Sequence, residues 1–292
     1  MDSHVRECAL AFIAGGAALA GVTRILRGPR RPSALAKATR DFSQPAKNIR
    51  STTPHPEWVP GEAQPAPFPP EYHTVDPAHT PASELYPLVI SSIVPRPIGF
   101  VSSVSADGKS TNLAPFSYFG TMGHDPPTLA IGFAAARHRD HGRKDTLVNV
   151  LETGELVVNI ISEWYVEAAN HCCGNFDYGE NEFELSGLHP IASKKAQSAV
   201  QLECRLKNTQ DIVNKDGKIT GTIVIAEVVL MHIAEGVAGK SPSGKLIVDI
   251  EKYRPISRLG GNTYGRVLEI FDLPRPDRGP AEKPLHYTSK PE

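Results

Sequence analysis

The sequence predicts a mainly β protein: a six-stranded antiparallel β-barrel with helical excursions. Three observations carry that prediction. Residues 94–120, VPRPIGFVSSVSADGKSTNLAPFSYFG, read as two strands joined by a tight turn; Ala106-Asp107-Gly108 supplies the turn chemistry, with Gly108 free to take positive φ. Two later runs, ELVVNII at 155–161 and GTIVIAEVVLMHI at 221–233, are dense in the β-branched residues that suit a pleated, half-buried surface. Helical windows are few and the excursions between strands are long. Such a pattern suits a sheet closed on itself, with Val, Ile and Leu filling its alternating interior.

Taken in order, residues 1–50 form an N-terminal extension. Within it, residues 8–23 (CALAFIAGGAALAGVT) are uncharged and are followed by Arg24, Arg27, Arg30 and Arg31. That run falls short of the roughly 20 residues of a spanning helix. Three readings stand: a short membrane anchor, an organelle-targeting (mitochondrial) leader, or an unstructured extension. Asp2 and Glu7 sit where a secretory signal carries positive charge, which argues against secretion. Residues 51–82 read as a linker, because Pro54, Pro56, Pro60, Pro65, Pro67, Pro69 and Pro70 fall too close together for helix or central strand.

The folded unit is placed at 83–275. After the opening hairpin, whose return run at 111–119 is bent by Pro115, come the Asp125-Pro126-Pro127 turn and a strand at 128–133. A basic loop leads to a helix from Asp145 or Thr146 to Glu152, then the strand at 155–161. Residues 163–172 look helical, 174–190 read as a long polar loop, and 201–208 and 221–233 complete the strands. Residues 276–292, rich in Pro and charge, read as a disordered tail.

Composition excludes several classes. Lys plus Arg number 31 against 32 Asp plus Glu, so no basic surface calls for nucleic acid. Four cysteines in 292 residues make no disulfide framework, which favours a reducing compartment, read here as the cytoplasm. Neither G-x-S-x-G, Walker A nor G-x-G-x-x-G occurs, so a nucleotide would have to bind without a Rossmann unit. His138 and His141, and His171 beside Cys172 and Cys173, lack the separated ligand pairs of a zinc site, and no metal is expected. In ARHRDHGRKDTLVN, at 136–149, Arg137, Arg139, Arg143 and Lys144 precede a helix start. Such a start is a natural phosphate site, but on pattern alone a solvated loop before an ordinary capped helix is the better account. RPISRLGGNTYG, at 254–265, implies a tight turn that either packs on the barrel or meets a ligand or second subunit.

Four segments in order resemble the flavin reductase-like family of the FMN-binding split-barrel superfamily. P-R-P-I with N-L-A-P-F-S in 94–119 looks like its opening motif, and Lys144-Asp145-Thr146-Leu147 with Asn149 resembles its K-D-T-L-x-N element. EFELSGL at 182–188 is similar to its D-E-F-E-x-A-G-L stretch, and residues 253–264 look like its closing segment. The resemblance covers residues 84–275. It implies a six-stranded Greek-key split barrel that forms a homodimer, with FMN near the interface.

On the same resemblance, Ser102, Ser103, Lys144, Asp145 and Thr146 hold the phosphate, and Asn112, Leu113, Ala114, Phe116 and Ser117 edge the isoalloxazine. Arg96 lies close to flavin or phosphate, and His171 and Tyr264 stand beside the reacting face. The implied activity is an FMN-dependent oxidoreductase taking hydride from NADH or NADPH and passing electrons to oxygen, free flavin or a small substrate. A flavin-binding redox or sensor module without efficient turnover is the alternative. A pyridoxamine-phosphate-oxidase-like enzyme shares the barrel but matches the P-R-P-I and S-R-L-G-G segments less well.

Overall fold

The computed structural model describes residues 10–13, 42, 45, 48–69, 71–177, 179–192 and 198–273. Seven strand segments form its main sheet: β1 (Gly99–Val104), β2 (Thr111–Phe116), β3 (Phe119–His124), β4 (Pro127–Ala134), β5 (Glu155–Ile160), β6 (Val200–Val213) and β7 (Ile219–Ile233). Their order is β2-β1-β5-β6-β7-β4-β3, and every pairing is antiparallel. The fold is thus mainly β, as the sequence predicts.

The barrel is split between β2 and β3, its two edge strands, which follow one another in the chain across Ser117 and Tyr118. The sequence reading has six strands because it runs 111–119 as one element and leaves 120–124 without a strand. Gly120 and Gly123 weaken the strand signal there, and one-residue register slippage opposite β4 breaks its alternation. After β4 the chain returns to pair β5 with β1 rather than with β4, the long connection of a Greek key.

Alternation sorts the strand residues onto two faces. The interior packs Val101, Ile131, Phe133, Val158, Leu202 and Val224 together, all buried. Helix α2 (Asp145–Thr153) is part of the same cluster through Leu147 and Val150, three residues apart on one helix face. Gly154, in left-handed conformation at φ 72, ends α2 and donates its N–H to Val150. The outer face of β1 and β2 carries Phe100 and Leu113, which pack under α3 (Val166–His171) and α4 (Glu182–Ser186) with Ala169 and Phe183. Helix α4 lies within what the sequence presents as a loop; Asn181 starts it by accepting from the Phe183 N–H.

Helix α1 (Ala82–Ser92) opens the folded unit. No helix is expected there from the sequence, because Pro87 falls inside it. Residues 51–69 and 71–81 are mostly exposed, with a local turn in which Trp58 Nε1 donates to Glu62 O at 2.8 Å. Ile49–Arg50 adds in parallel to Glu269–Ile270. Of the run at 8–23, Leu10–Ile13 pairs antiparallel with His189–Ala192, and the rest of it lies outside the described residues, as does the tail at 276–292. Among the described residues, no helix is long and apolar enough to cross a membrane.

Candidate functional site

A cavity of about 260 Å³ opens where the α2 start meets the β2–β3 corner, the last turn of α3 and the hairpin at 256–266. Its floor follows from local sequence. Residues 136–142 close on themselves, with the Ala136 N–H donating to Gly142 O and the Gly142 N–H to Arg139 O. This compact turn delivers Lys144 to the N-cap position of α2. No side chain caps the helix there, so its first N–H groups are left for another acceptor. Arg139 folds back to pair with Asp145 and to donate to Phe176 O at 2.9 Å. Arg137 and Arg143 point to solvent, so only Arg139, His138 and Lys144 of the basic segment line the cavity.

A buried chain of polar groups forms one wall. Thr146 Oγ1 donates to Asn112 Oδ1 at 2.6 Å, and Asn112 Nδ2 donates to Glu182 Oε1 at 2.7 Å. The second Glu182 oxygen accepts from the Leu113 N–H at 3.1 Å. Burial raises the Glu182 carboxyl above its usual range, and its hydrogen bonds to Asn112 and Leu113 oppose that shift. Asp145 Oδ1, also buried, has no hydrogen-bond partner among the described residues. Opposite lies Arg258, whose guanidinium stacks 4.5 Å from the Tyr264 ring centroid. Among the described residues, no carboxylate pairs with Lys144 or Arg258. One end of the cavity is therefore built for an anion.

Of the residues singled out in the sequence, Arg96, Asn112, Ala114, Phe116, Ser117, Lys144, Asp145 and Thr146 line this cavity. Five do not. Leu113 is fully buried because strand alternation turns its side chain away from Asn112 and Ala114 into the outer cluster. Ser102 shares that face at 1% exposure, and Ser103, on the inner face, is covered by α2 and accepts from Asn149 Nδ2 at 3.0 Å. His171 is exposed, its ring 5.5 Å from that of Phe176, while the turn after α3 presents Cys172 and Cys173 to the cavity instead. Tyr264 backs Arg258 and donates its hydroxyl to Asn170 Oδ1 at 2.7 Å, facing a second cavity with Val166, Ile256 and Arg266. For the strand residues these placements share one cause: a motif names a segment, and strand periodicity decides which of its side chains line the cavity.

Arg96 is placed at the cavity but is otherwise engaged. Its guanidinium donates to Ile90 O, to Ile93 O at 2.8 Å and to Leu259 O at 2.8 Å, so it ties the end of α1 to the 256–266 hairpin. Sequence reasoning did not place Glu182, Phe176, Cys173 or Tyr118 at the site. Glu182 is legible only as part of a motif, without a role; Cys173 stands out only as one of a vicinal pair and Tyr118 only as part of the opening hairpin, and Phe176 carries no signal short of the folded chain.

Three comparisons bear on this architecture. The family model described as flavin reductase like domain matches residues 91–257. The Bacillus subtilis protein YwrF is 35% identical over 202 residues, covering 67% of this chain and 95% of YwrF. Among solved structures, nitrilotriacetate monooxygenase component B from Bacillus cereus superposes with a TM-score of 0.62 at 32% identity, over 70% of this chain and 99% of that one. Pseudomonas fluorescens 2-nitrobenzoate 2-nitroreductase NbaA gives 0.57 at 28% identity, over 72% of this chain and all of NbaA, 100%. The family match extends over more than half of the sequence and takes in the seven strands and α2, while the hairpin at 256–266 lies at and beyond its end. The chain belongs to the flavin reductase-like domain family.

Proposed function

We propose that this protein is an FMN-dependent oxidoreductase that accepts hydride from NADH or NADPH and passes electrons to oxygen, free flavin or a small substrate. The observation that carries the reading is the anion-ready end of the cavity. There Lys144, Arg258 and an α2 start without a side-chain cap line one cavity; Asp145 in that first turn is paired with Arg139, and no carboxylate pairs with Lys144 or Arg258 among the described residues. A phosphate there would take N–H groups, the positive helix end and two charge-assisted contacts. Asp145 Oδ1, buried without a donor, fits the hydroxyl-rich chain beside a flavin phosphate. Ala114, Phe116 and Ser117 at the β2 end would hold the ring. FMN, when bound, supplies the two-electron chemistry. The protein's residues bind and orient it, and Phe116 and Phe176 limit water at the cavity walls.

A homodimer completes the reading. The cavity is smaller than the roughly 300–1,000 Å³ that buries a drug-sized ligand. A mononucleotide would therefore extend past one protomer's walls. Near its mouth Tyr118 is 43% exposed, and Tyr86 and Val89 of α1 are 59% and 44% exposed, an apolar rim suited to a second copy. We read the chain as cytoplasmic. Purified protein that binds FMN and bleaches its flavin absorbance on adding NADH or NADPH supports the proposal. Protein that takes up no FMN from solution refutes it. FMN binding without bleaching by either nicotinamide favours the sensor alternative.

A further inference from the structure

The wall chain Thr146–Asn112–Glu182 has a direction, and that direction sets what the cavity reads. The Leu113 N–H belongs to the β2 backbone and can only donate, so the Glu182 oxygen facing it must accept. The other carboxylate oxygen accepts from Asn112, which therefore presents its NH2 to Glu182 and its carbonyl to Thr146. A carbonyl only accepts, so the single hydroxyl proton of Thr146 is spent on Asn112 Oδ1. What remains for the cavity at Thr146 is lone pairs. The neighbouring position repeats the demand: Asp145 Oδ2 is paired with Arg139, while Oδ1 is buried and lacks a donor. Two successive residues of the cavity lining, beside the anion-ready end, thus carry a spare acceptor, with that of Asp145 buried.

We infer that Glu182, acting through Asn112, fixes Thr146 as a hydrogen-bond acceptor that reads a hydroxyl or N–H of the ligand rather than its phosphate. Phosphate contact falls instead to Lys144, Arg258 and the α2 N–H groups. Glu182 is a positioning residue in this arrangement. The inference rests on the proposal that the cavity holds FMN, and it assigns Thr146 and Asp145 to the non-phosphate part of that ligand. It also makes Glu182→Gln a reversal of the chain rather than a simple loss. In that variant the amide oxygen must still face the Leu113 N–H, so the NH2 faces Asn112. Asn112 then turns its carbonyl to position 182 and its NH2 to Thr146, whose proton is released toward the cavity.

FMN and riboflavin share ring and ribityl chain and differ only in the phosphate, so their affinities for the full chain separate the two assignments. Fluorescence titrations of wild type, Thr146→Val, Thr146→Ser, Glu182→Gln and the Glu182→Gln/Thr146→Val double variant make the test. Thr146→Val should weaken both flavins by the same factor, about three- to tenfold for one neutral hydrogen bond. Thr146→Ser should restore both. Glu182→Gln should match Thr146→Val for both flavins, and the double variant should lose no more than either single one. A Thr146→Val loss confined to FMN, or no loss for either flavin, overturns the inference. So does a double variant whose losses multiply. If Glu182→Gln does not fold, the Thr146→Val and Thr146→Ser pair still decides. Wild type that binds neither flavin removes the FMN reading itself, a result distinct from all of these.

Discussion

Replacing Arg96 with Ala should destabilise the fold far more than it disturbs any ligand. The side chain is 7% exposed and donates to three carbonyls on two segments, with the Leu259 bond spanning 163 residues of sequence. Hydrogen bonds to a charged group are worth about 1.5–3 kcal/mol each, which sets an upper sum near 4.5–9 kcal/mol. Two of the three bonds are only part-buried, so water can take over Ile93 O and Leu259 O in the variant. The remaining cost is about 3–5 kcal/mol, in line with breaking other buried charged contacts. Arg96→Lys should recover less than half of it, because an ammonium cannot span three carbonyls with a planar fork. Urea unfolding followed by far-UV circular dichroism measures the loss as a shift in midpoint at constant slope. Arg96→Ala that unfolds within about 1 kcal/mol of wild type yet loses flavin affinity would refute the clamp and restore Arg96 as a ligand residue.

Lys144→Ala should weaken FMN by about 1.5–3 kcal/mol and leave riboflavin within twofold; equal losses for both flavins would remove the phosphate end from Lys144. Burial pushes the thiols of Cys172 and Cys204 up to about 12, so both should resist alkylation at pH 8 until the protein unfolds. Mass-mapped labelling of native protein checks this, and fast modification of Cys204 would contradict its packing. Glu182 offers a pH test with a definite sign. Burial holds its folded value above the unfolded value of 4.5, so protonation favours the native state. Its contribution is fully present below 4.5 and lost as pH rises through the raised folded value, with Asp145 as the nearby negative charge that adds to the shift. Against Glu182→Gln, wild type should therefore lose ground as pH rises above 4.5; a gap that moves the other way would show that Glu182 is stabilised as a carboxylate.

Much of the fold is readable locally. The Asp107-Gly108 turn follows from its residues, and Gly108 takes φ 73. The start of α2 at Asp145, and the β-prone runs that became β5 and β7, lie where composition and periodicity put them. Each of these depends on neighbours within a few residues. Helix α1 and strand β3 were hidden because Pro87, Gly120 and Gly123 carry the opposite local preference, and tertiary packing overrode it.

The candidate site divides along the same line. By itself the sequence, through its four-segment resemblance to a known family, determined the segments that meet at the cavity. Only the tertiary structure decided which side chains line it. Strand alternation removed Leu113 and Ser102, α2 covered Ser103, and Tyr264 came to rest behind Arg258 rather than in the cavity. Glu182 reached Asn112 across 70 residues, and Arg96 was spent on carbonyls no local pattern announces. A hydrogen bond has a direction and two ends, and when those ends lie on distant segments only the folded chain fixes which one donates.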